Sequence, residues 1–387
     1  MHEELSPQEI LAAVAEATRL REGPEGVRSI LRVIGDRREM TTRQVATAVR
    51  LPLPVVAAVR GELTALGVLE RQPHGVRLTE QGRNLAAKLF GSEVSSNGTY
   101  EPQAAEEMAA FAERLREIAE RRPDADVTLD QAKATPLTLA RRVSYFDRND
   151  ALAGRRILCL GDDDFVAAAI AEWTVRQNAR GRAARPERVL VVDCDRRIVE
   201  QIAALGKPVE ARLYDARDPW PEAWRGRFDV VITDPPYTIH GAELFLSRAI
   251  DAVGAKPGAH CFFSFGHLDP SALRTVQAAL AEMGWVVREW LPGFNEYEGS
   301  GVLAGISLMA HLILADAPEP VIVGRYDGPL YTADVRPVVR IYRCQGCHAQ
   351  WEVGPGTRWQ TIAHLKRQTC PLCGANRFLR TGQRPAG

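Results

Sequence analysis

Two short stretches, some 70 residues apart, carry side chains that could do chemistry. Ile157-Leu158-Cys159-Leu160-Gly161-Asp162-Asp163-Asp164 is an apolar run that breaks into three consecutive carboxylates. Val230-Val231-Ile232-Thr233-Asp234-Pro235-Pro236-Tyr237-Thr238 is a second apolar run, ending in an acid, two prolines and a phenol. Each predicts a buried strand that delivers acids to its C-terminal end, the edge at which open α/β sheets bind ligands. Acids gathered at one crevice suit a cationic substrate and a group that must lose a proton. Two further acids fit the same edge. Asp193 ends another apolar run 32 residues after Gly161, where a carboxylate accepts from ribose hydroxyls. Asp215-Ala216 follows a third run, where a carboxylate can accept from an adenine amino group. Gly161 allows a tight turn and close approach of a ligand. The plain alternatives are that Asp164 caps the following helix and that Asp195 is a surface residue.

The elements that must position these acids follow from periodicity. Strands are predicted at 156–160, 188–193, 209–213, 228–233, 259–264, 285–291 and 306–314, and helices at 165–178, 196–204, 241–253 and 270–283. Such alternation implies an α/β, doubly wound, mostly parallel sheet. Right-handed crossovers bring the strand C-termini to one rim. With the acids in place this is a class I methyltransferase-like Rossmann domain, of the kind that binds S-adenosylmethionine or its relatives.

The donor turn then argues about the donor. The methionine carboxylate of S-adenosylmethionine would lie near Gly161-Asp162-Asp163-Asp164, where like charges repel it. Decarboxylated S-adenosylmethionine lacks that group and presents a cationic aminopropyl arm. An amine attacking the carbon beside a sulfonium must be neutral, so a positioned carboxylate is needed to accept its proton. Other carboxylates can hold the distal ammonium groups.

These residues resemble the branched-chain polyamine synthase family, N4-bis(aminopropyl)spermidine synthase. The resemblance rests on Gly161-Asp162-Asp163-Asp164 and Asp234-Pro235-Pro236-Tyr237-Thr238. It extends through Asp130-Gln131, Thr135-Pro136 and Arg141-Arg142 to an N-terminal winged helix, over roughly residues 25–315. It implies transfer of aminopropyl groups from decarboxylated S-adenosylmethionine to the internal secondary amine of spermidine, two transfers giving a quaternary branched product. It also implies a base among Asp162, Asp163 and Asp164, and an acceptor pocket lined by Asp234 and Tyr237. Pattern does not separate the three adjacent acids; Asp164 is preferred as base, then Asp162. Gly293-Phe294-Asn295-Glu296-Tyr297-Glu298-Gly299 reads as a loop, either solvated or closing over the acceptor with Glu296 and Glu298 and its aromatic faces. The competing reading is an S-adenosylmethionine-dependent amino methyltransferase of nucleic acid, because Asp-Pro-Pro-Tyr also resembles the motif of enzymes that methylate exocyclic amines.

Two outer units flank this domain. Residues 26–90 have three helical patterns followed by Gly67-Val68-Leu69-Glu70 and Val76-Arg77-Leu78 around a turn at Pro73-His74-Gly75, the order of a winged helix. Its third helix offers Arg60 beside Glu62, a poor face for DNA, so a packing or dimerisation role is preferred. At the other end Cys344-x-x-Cys347 and Cys370-x-x-Cys373, separated by 22 residues, have the spacing of a structural zinc ribbon. Gly346 and Gly374 would turn the thiolates inward, His348 and His364 are weaker alternative ligands, and Trp351 and Trp359 suit a small core. This tail departs from the family form, which ends near the catalytic domain. The division expected is 1–92 winged helix, 93–128 linker and helix, 129–316 catalytic domain and 317–387 zinc-ribbon tail.

Bulk properties narrow the setting. The chain of 387 residues is 45% hydrophobic and 25% charged with a formal net charge of zero, so no whole-molecule basic field marks it for nucleic acid. No apolar stretch reaches the ~18 residues of a membrane span. Seven cysteines, four of them in the paired knuckles, suit a reducing cytoplasm better than a disulfide framework. The partners expected are a polyamine such as spermidine and, for a homodimer, a second copy of the chain. Nucleic acid is not favoured and a membrane is not expected.

Overall fold

The computed structural model describes residues 6–20, 22–35, 39–49, 51–90, 105–206, 208–266, 269–298, 305–335, 338–354, 356–359 and 361–385. The first part of the expected linker, 93–104, lies outside them.

The N-terminal unit comprises α1 (Pro7–Thr18), α2 (Gly23–Gly35), α3 (Thr42–Val49), α4 (Leu53–Ala65), the wing strands β1 (Leu69–Gln72) and β2 (Gly75–Leu78), and α5 (Glu80–Phe90). Its first helix precedes the predicted span and starts in a capping box between Ser6 and Glu9. This winged helix is fastened to the sheet domain by buried arginines. Arg28 donates to the carbonyls of Leu89 and Ala153 at 2.9 and 2.6 Å, Arg32 pairs with Asp147 at 3.1 Å, and Arg155 binds Asp150 at 2.8 Å and also Glu25. Arg60 of α4 donates to Thr42 instead of facing outward. The packing role expected of this unit agrees with these contacts.

After α6 (Ala105–Arg121) come β3 (Lys133–Ala134), α7 (Pro136–Arg148), β4 (Arg156–Leu160), α8 (Val166–Asn178), β5 (Arg188–Asp193), α9 (Arg196–Ala203), β6 (Val209–Leu213), β7 (Val230–Thr233), α10 (Ile239–Val253), β8 (His260–Phe265), α11 (Pro270–Glu282), β9 (Trp285–Glu298) and β10 (Ile306–Leu314). They form one eight-stranded sheet in the order β3-β9-β10-β8-β7-β4-β5-β6. The five strands from β8 to β6 are parallel, and β10, β9 and β3 join antiparallel. One face of the sheet packs against α7, α8 and α9, the other against α10 and α11. The chain leaves β4 toward β5 on one side and returns to β7 on the other, so the crevice beyond β4 is the switch point of the sheet.

Two expectations are corrected here. The stretch 293–298 is not a loop: β9 runs on through it, pairing Asn295 with Ser307 and Glu296 with Ile306, across a register shift between Ser307 and Met309. The shift accommodates Pro292-Gly293, which read as a strand end. The tail also starts later than 317. Buried Arg248 holds the carbonyls of Ile322 and Gly324 at 3.4 and 2.5 Å, Thr238 donates to Leu330 O at 2.7 Å, and Leu330 is fully buried in the sheet's core. Beyond the short α12 (Thr332–Val335), the ribbon itself is β11 (Val338–Cys344), β12 (Gln350–Val353), α13 (Ile362–Gln368) and β13 (Phe378–Pro385), with sheet order β12-β11-β13. Among the described residues no helix is long and apolar enough to cross a membrane.

Candidate active site

A cleft of ≈ 750 Å³ opens at the switch point. Gly161, Asp163, Asp193, Asp215, Ala216, Asp234 and Tyr237, all named from the sequence, line it. So do residues that no sequence pattern singles out, notably Phe245, Leu330 and Tyr331. Five carboxylates (Asp130, Asp163, Asp193, Asp215 and Asp234) and no Lys, Arg or His side chain are among its lining residues.

The three adjacent acids have separate fates. Gly161 at φ 75° and Phe165 at φ 62° both adopt the left-handed region, and this double turn sends successive carboxylates in different directions. Asp162, not Asp164, caps α8: its oxygens accept from the Val166 and Ala167 N–H groups at 2.6 and 3.0 Å. Asp164 points inward and is buried. It accepts from Arg142 at 2.7 Å and from the Ala134 N–H at 2.6 Å, with Arg122 3.8 Å away. Asp163 faces the cleft, held by one bond from the Ala132 N–H at 3.1 Å. Burial, then the charges of Asp164, Asp193 and Asp234, push its carboxyl well above the usual carboxylate range. The sequence preference for Asp164 and then Asp162 as base meets this difficulty: both have their oxygens occupied by the protein's own donors.

Asp164 and Asp234 share a counter-ion that sequence reasoning left without a role. Arg142 of α7 is buried and donates to Asp164, to Asp234 at 2.9 Å, to Tyr297 at 3.0 Å and to Asn295 at 2.8 Å. Tyr297 donates to Asp234 at 2.5 Å, and Tyr237 donates to Tyr297 at 2.9 Å. Asn295 in turn bonds Ser264, Ser307 and the Leu308 carbonyl at 2.9–3.1 Å. Burial, then the charge of Asp234, pushes both phenols well above their ordinary range; Asp164 adds to this at Tyr297, and Tyr297 adds to it at Tyr237. Tyr237 fits only because position 266 is glycine, where a Cβ would stand 2.1 Å from its ring. Alternation along β9 turns Asn295 and Tyr297 toward this network and sends Glu296 and Glu298 the other way. Glu296 is exposed and pairs with Arg141 at 3.3 Å, and Glu298 lies 3.9 Å from Arg122. Neither lines the cleft, which corrects their expected placement over the acceptor.

On the donor side, Asp193 accepts from the Asp162 and Asp195 N–H groups at 3.0 and 2.8 Å, and burial raises its pKa. Asp215 accepts from the Arg217 N–H at 2.9 Å, beside Ala216 and Tyr214. Asp195 is buried, caps α9 and binds Arg197 and Gln131, so it is not a surface residue. The rim closes where the Thr332 N–H donates to Asp130 at 2.6 Å and Tyr331 lies 3.8 Å from the Cys194 sulfur.

In the ribbon, the sulfurs of Cys344, Cys347, Cys370 and Cys373 all lie within 4.8 Å of one another. Two pairs are 3.5 and 3.6 Å apart, near the S···S separation of about 3.8 Å that tetrahedral Zn–S bonds impose. The Gly346 N–H points at the Cys344 sulfur at 3.3 Å, as it would to a thiolate. This set fits zinc. His364 bonds Gln368 instead, and Trp351 and Trp359 meet edge to face at 5.2 Å in the small core.

Comparison with known proteins agrees with this geometry. The family model of the branched-chain polyamine synthase A C-terminal domain matches residues 110–328, which takes in the cleft apart from Leu330 and Tyr331. The N(4)-bis(aminopropyl)spermidine synthase of Thermus thermophilus is 32% identical over 331 residues, 81% of this chain and 89% of the relative. The chain belongs to the branched-chain polyamine synthase family. The crystal structure of the Thermus thermophilus synthase in complex with N4-aminopropylspermidine and 5'-methylthioadenosine superposes with a TM-score of 0.52 at 25% identity, covering 84% of this chain and 98% of that one. An uncharacterized protein of Methanocaldococcus jannaschii is 32% identical over 379 residues, 95% of this chain and 92% of the relative. That family relationship, the sheet order and the switch-point cleft establish the class I Rossmann-like catalytic fold.

Proposed function

We propose that the chain is an aminopropyltransferase that moves aminopropyl groups from decarboxylated S-adenosylmethionine to the internal secondary amine of spermidine or a related linear polyamine. The observation that carries this reading is the cleft lined by five carboxylates without a cationic side chain. An amino-acid carboxylate on the donor would find no partner there, whereas an aminopropyl ammonium and a polyamine find several. Asp193 and Asp215 suit the ribose and adenine ends of the donor. Asp163 suits the base: it faces the cleft, and its raised pKa brings it nearer the range in which a carboxylate accepts a proton efficiently.

In the reaction the amine lone pair attacks the carbon beside the sulfonium, the C–S bond breaks, and its electron pair stays on sulfur as neutral methylthioadenosine. The proton displaced from nitrogen passes to Asp163. In a second transfer the lone pair of the resulting tertiary nitrogen would attack the same carbon of a fresh donor, the C–S pair again leaving on sulfur, to give a quaternary ammonium with no proton to release. Arg142 acts through others: it holds Asp164 and Asp234 in place by hydrogen bonds, and Tyr297 relays that alignment to Tyr237 at the acceptor side. The ribbon is read as holding one structural zinc ion on its four cysteines, which folds the module and takes no part in transfer. Four cysteines grouped as metal ligands suit the reducing cytoplasm.

The test is incubation of the purified protein with spermidine and either donor. Masses raised by one and two aminopropyl units with the decarboxylated donor are expected. Turnover of S-adenosylmethionine in its place, with methylated nucleic acid as product, would sink the reading.

A further inference from the structure

The ribbon's charge is out of line with the rest of the chain. Residues 338–387 hold seven arginines and Lys366 against one carboxylate, Glu352. The chain as a whole balances 49 bases with 49 acids, so residues 1–337 carry 41 bases against 48 acids. Four thiolates around a zinc ion would return two negative charges, which still leaves the ribbon at roughly +5. The neutral total hides a basic end on an acidic body.

Few of these cations are spent on the protein itself: Arg358 lies over the Trp359 ring at 4.9 Å and Arg380 donates to Gln383. All of them are exposed. Arg384 pairs with Glu352 at 2.9 Å, and among the described residues no other cation of the ribbon lies within 4.0 Å of a carboxylate. The acidic body therefore does not neutralise the ribbon. The register places Arg343 beside Gln350 and Leu379, on the face away from the one where Tyr342 and Trp351 meet the small core. Arg377 immediately precedes β13, Arg380 stands opposite Tyr342 on the other face of the strand pair, and Lys366 and Arg367 occupy the last turn of α13.

The composition of this surface selects the kind of partner. Protein–protein interface cores are depleted in charge and built on aromatic anchors. Here Trp351 and Trp359 are engaged with each other, and the large apolar side chains left exposed on the ribbon are Leu372 and Leu379. A dense, unpaired, basic and mainly polar surface is what phosphate backbones bind, without base readout. We propose that the ribbon is a nucleic-acid docking site that grips the phosphate backbone. The winged helix does not compete for that role, because the Arg60 guanidinium is engaged by Thr42 and α2 faces the catalytic domain.

The full-length, zinc-loaded protein is titrated by fluorescence anisotropy with a short single-stranded RNA and with a short DNA duplex. Binding of at least one is expected, with log K falling against log salt at a slope of roughly −3 to −5, as about 4–6 phosphate contacts require. RNA and duplex arms show which backbone is preferred. The combined variant Arg343→Gln, Arg377→Gln and Arg380→Gln should weaken binding roughly tenfold or more and flatten the slope by about 2–3. Aminopropyl transfer to free spermidine should stay unchanged. If that variant loses its zinc, Lys366→Gln with Arg367→Gln takes its place and should weaken binding roughly threefold or more. Absence of binding to both nucleic acids, binding unaltered by the ribbon variants, or displacement of RNA by polyglutamate as effectively as by RNA itself would each overturn the proposal.

Discussion

The cleft and the ribbon use arginine in opposite ways. In the cleft Arg142 is buried, and its guanidinium is divided among Asp164, Asp234, Tyr297 and Asn295. Its charge is consumed by the protein, and its effect is to fix two acids while a third, Asp163, is left facing the cleft. In the ribbon the arginines are exposed and, apart from Arg384, have no carboxylate nearby among the described residues. A charge satisfied inside the fold positions other groups; a charge held open to water is available for a partner. The same side chain thus marks architecture in one region and recognition in the other, and burial with pairing tells them apart.

The sharpest way to break this contrast is to exchange the acids. Asp163→Asn should lower kcat/KM for spermidine about 10²–10⁴-fold, the usual contribution of a general base. Because its pKa is raised, activity should disappear as pH falls through a limb lying above the ordinary carboxylate value of about 4. A pH–rate profile checks the sign, since the base works only when deprotonated. If Asp163→Asn retains activity while Asp164→Asn abolishes it, the division of labour argued for these acids is reversed.

Arg142→Met should cost about 3–5 kcal/mol in denaturant unfolding, because it strands Asp164 and Asp234 without their counter-ion. A loss below about 1 kcal/mol would mean that the acids do not depend on it. Tyr297→Phe should be milder, about 1–3 kcal/mol, appearing chiefly as a higher KM for spermidine as Asp234 loses its phenol donor. Ending the chain after Val335 should leave transfer to free spermidine unaltered in a steady-state assay, because the residues that complete the cleft precede that point. A strong loss there would show that the ribbon contributes to the cleft after all.

Much of the catalytic sheet was legible because each parallel strand is a short apolar run that stops at an acid or glycine. Asp193, Asp215 and Asp234 sit where such runs end, so their place on the rim followed directly. The order of Asp162, Asp163 and Asp164 did not, since adjacent residues are separated by backbone turns and not by pattern. The left-handed conformations at Gly161 and Phe165 decide it, and Phe165 gives no hint of one. Arg142 entered only as part of the Arg141-Arg142 resemblance, with no role attached, because its partners come from positions 22, 92, 153 and 155 residues away. Pro292-Gly293 read as a break, yet a register shift absorbs it. The segment from Pro318 to Leu330 has no periodicity at all; Arg248 and backbone carbonyls hold it, and neither leaves a trace in hydropathy.

Tyr331 lines the cleft and Val338 begins the ribbon, so seven peptide units separate a wall of the active site from the module that carries the unpaired arginines. Even at full extension that leash spans at most about 25 Å. A polymer held by the ribbon would therefore stay within a few nanometres of the cleft, and a polycation leaving that cleft would meet its first polyanion before it diffuses into the bulk.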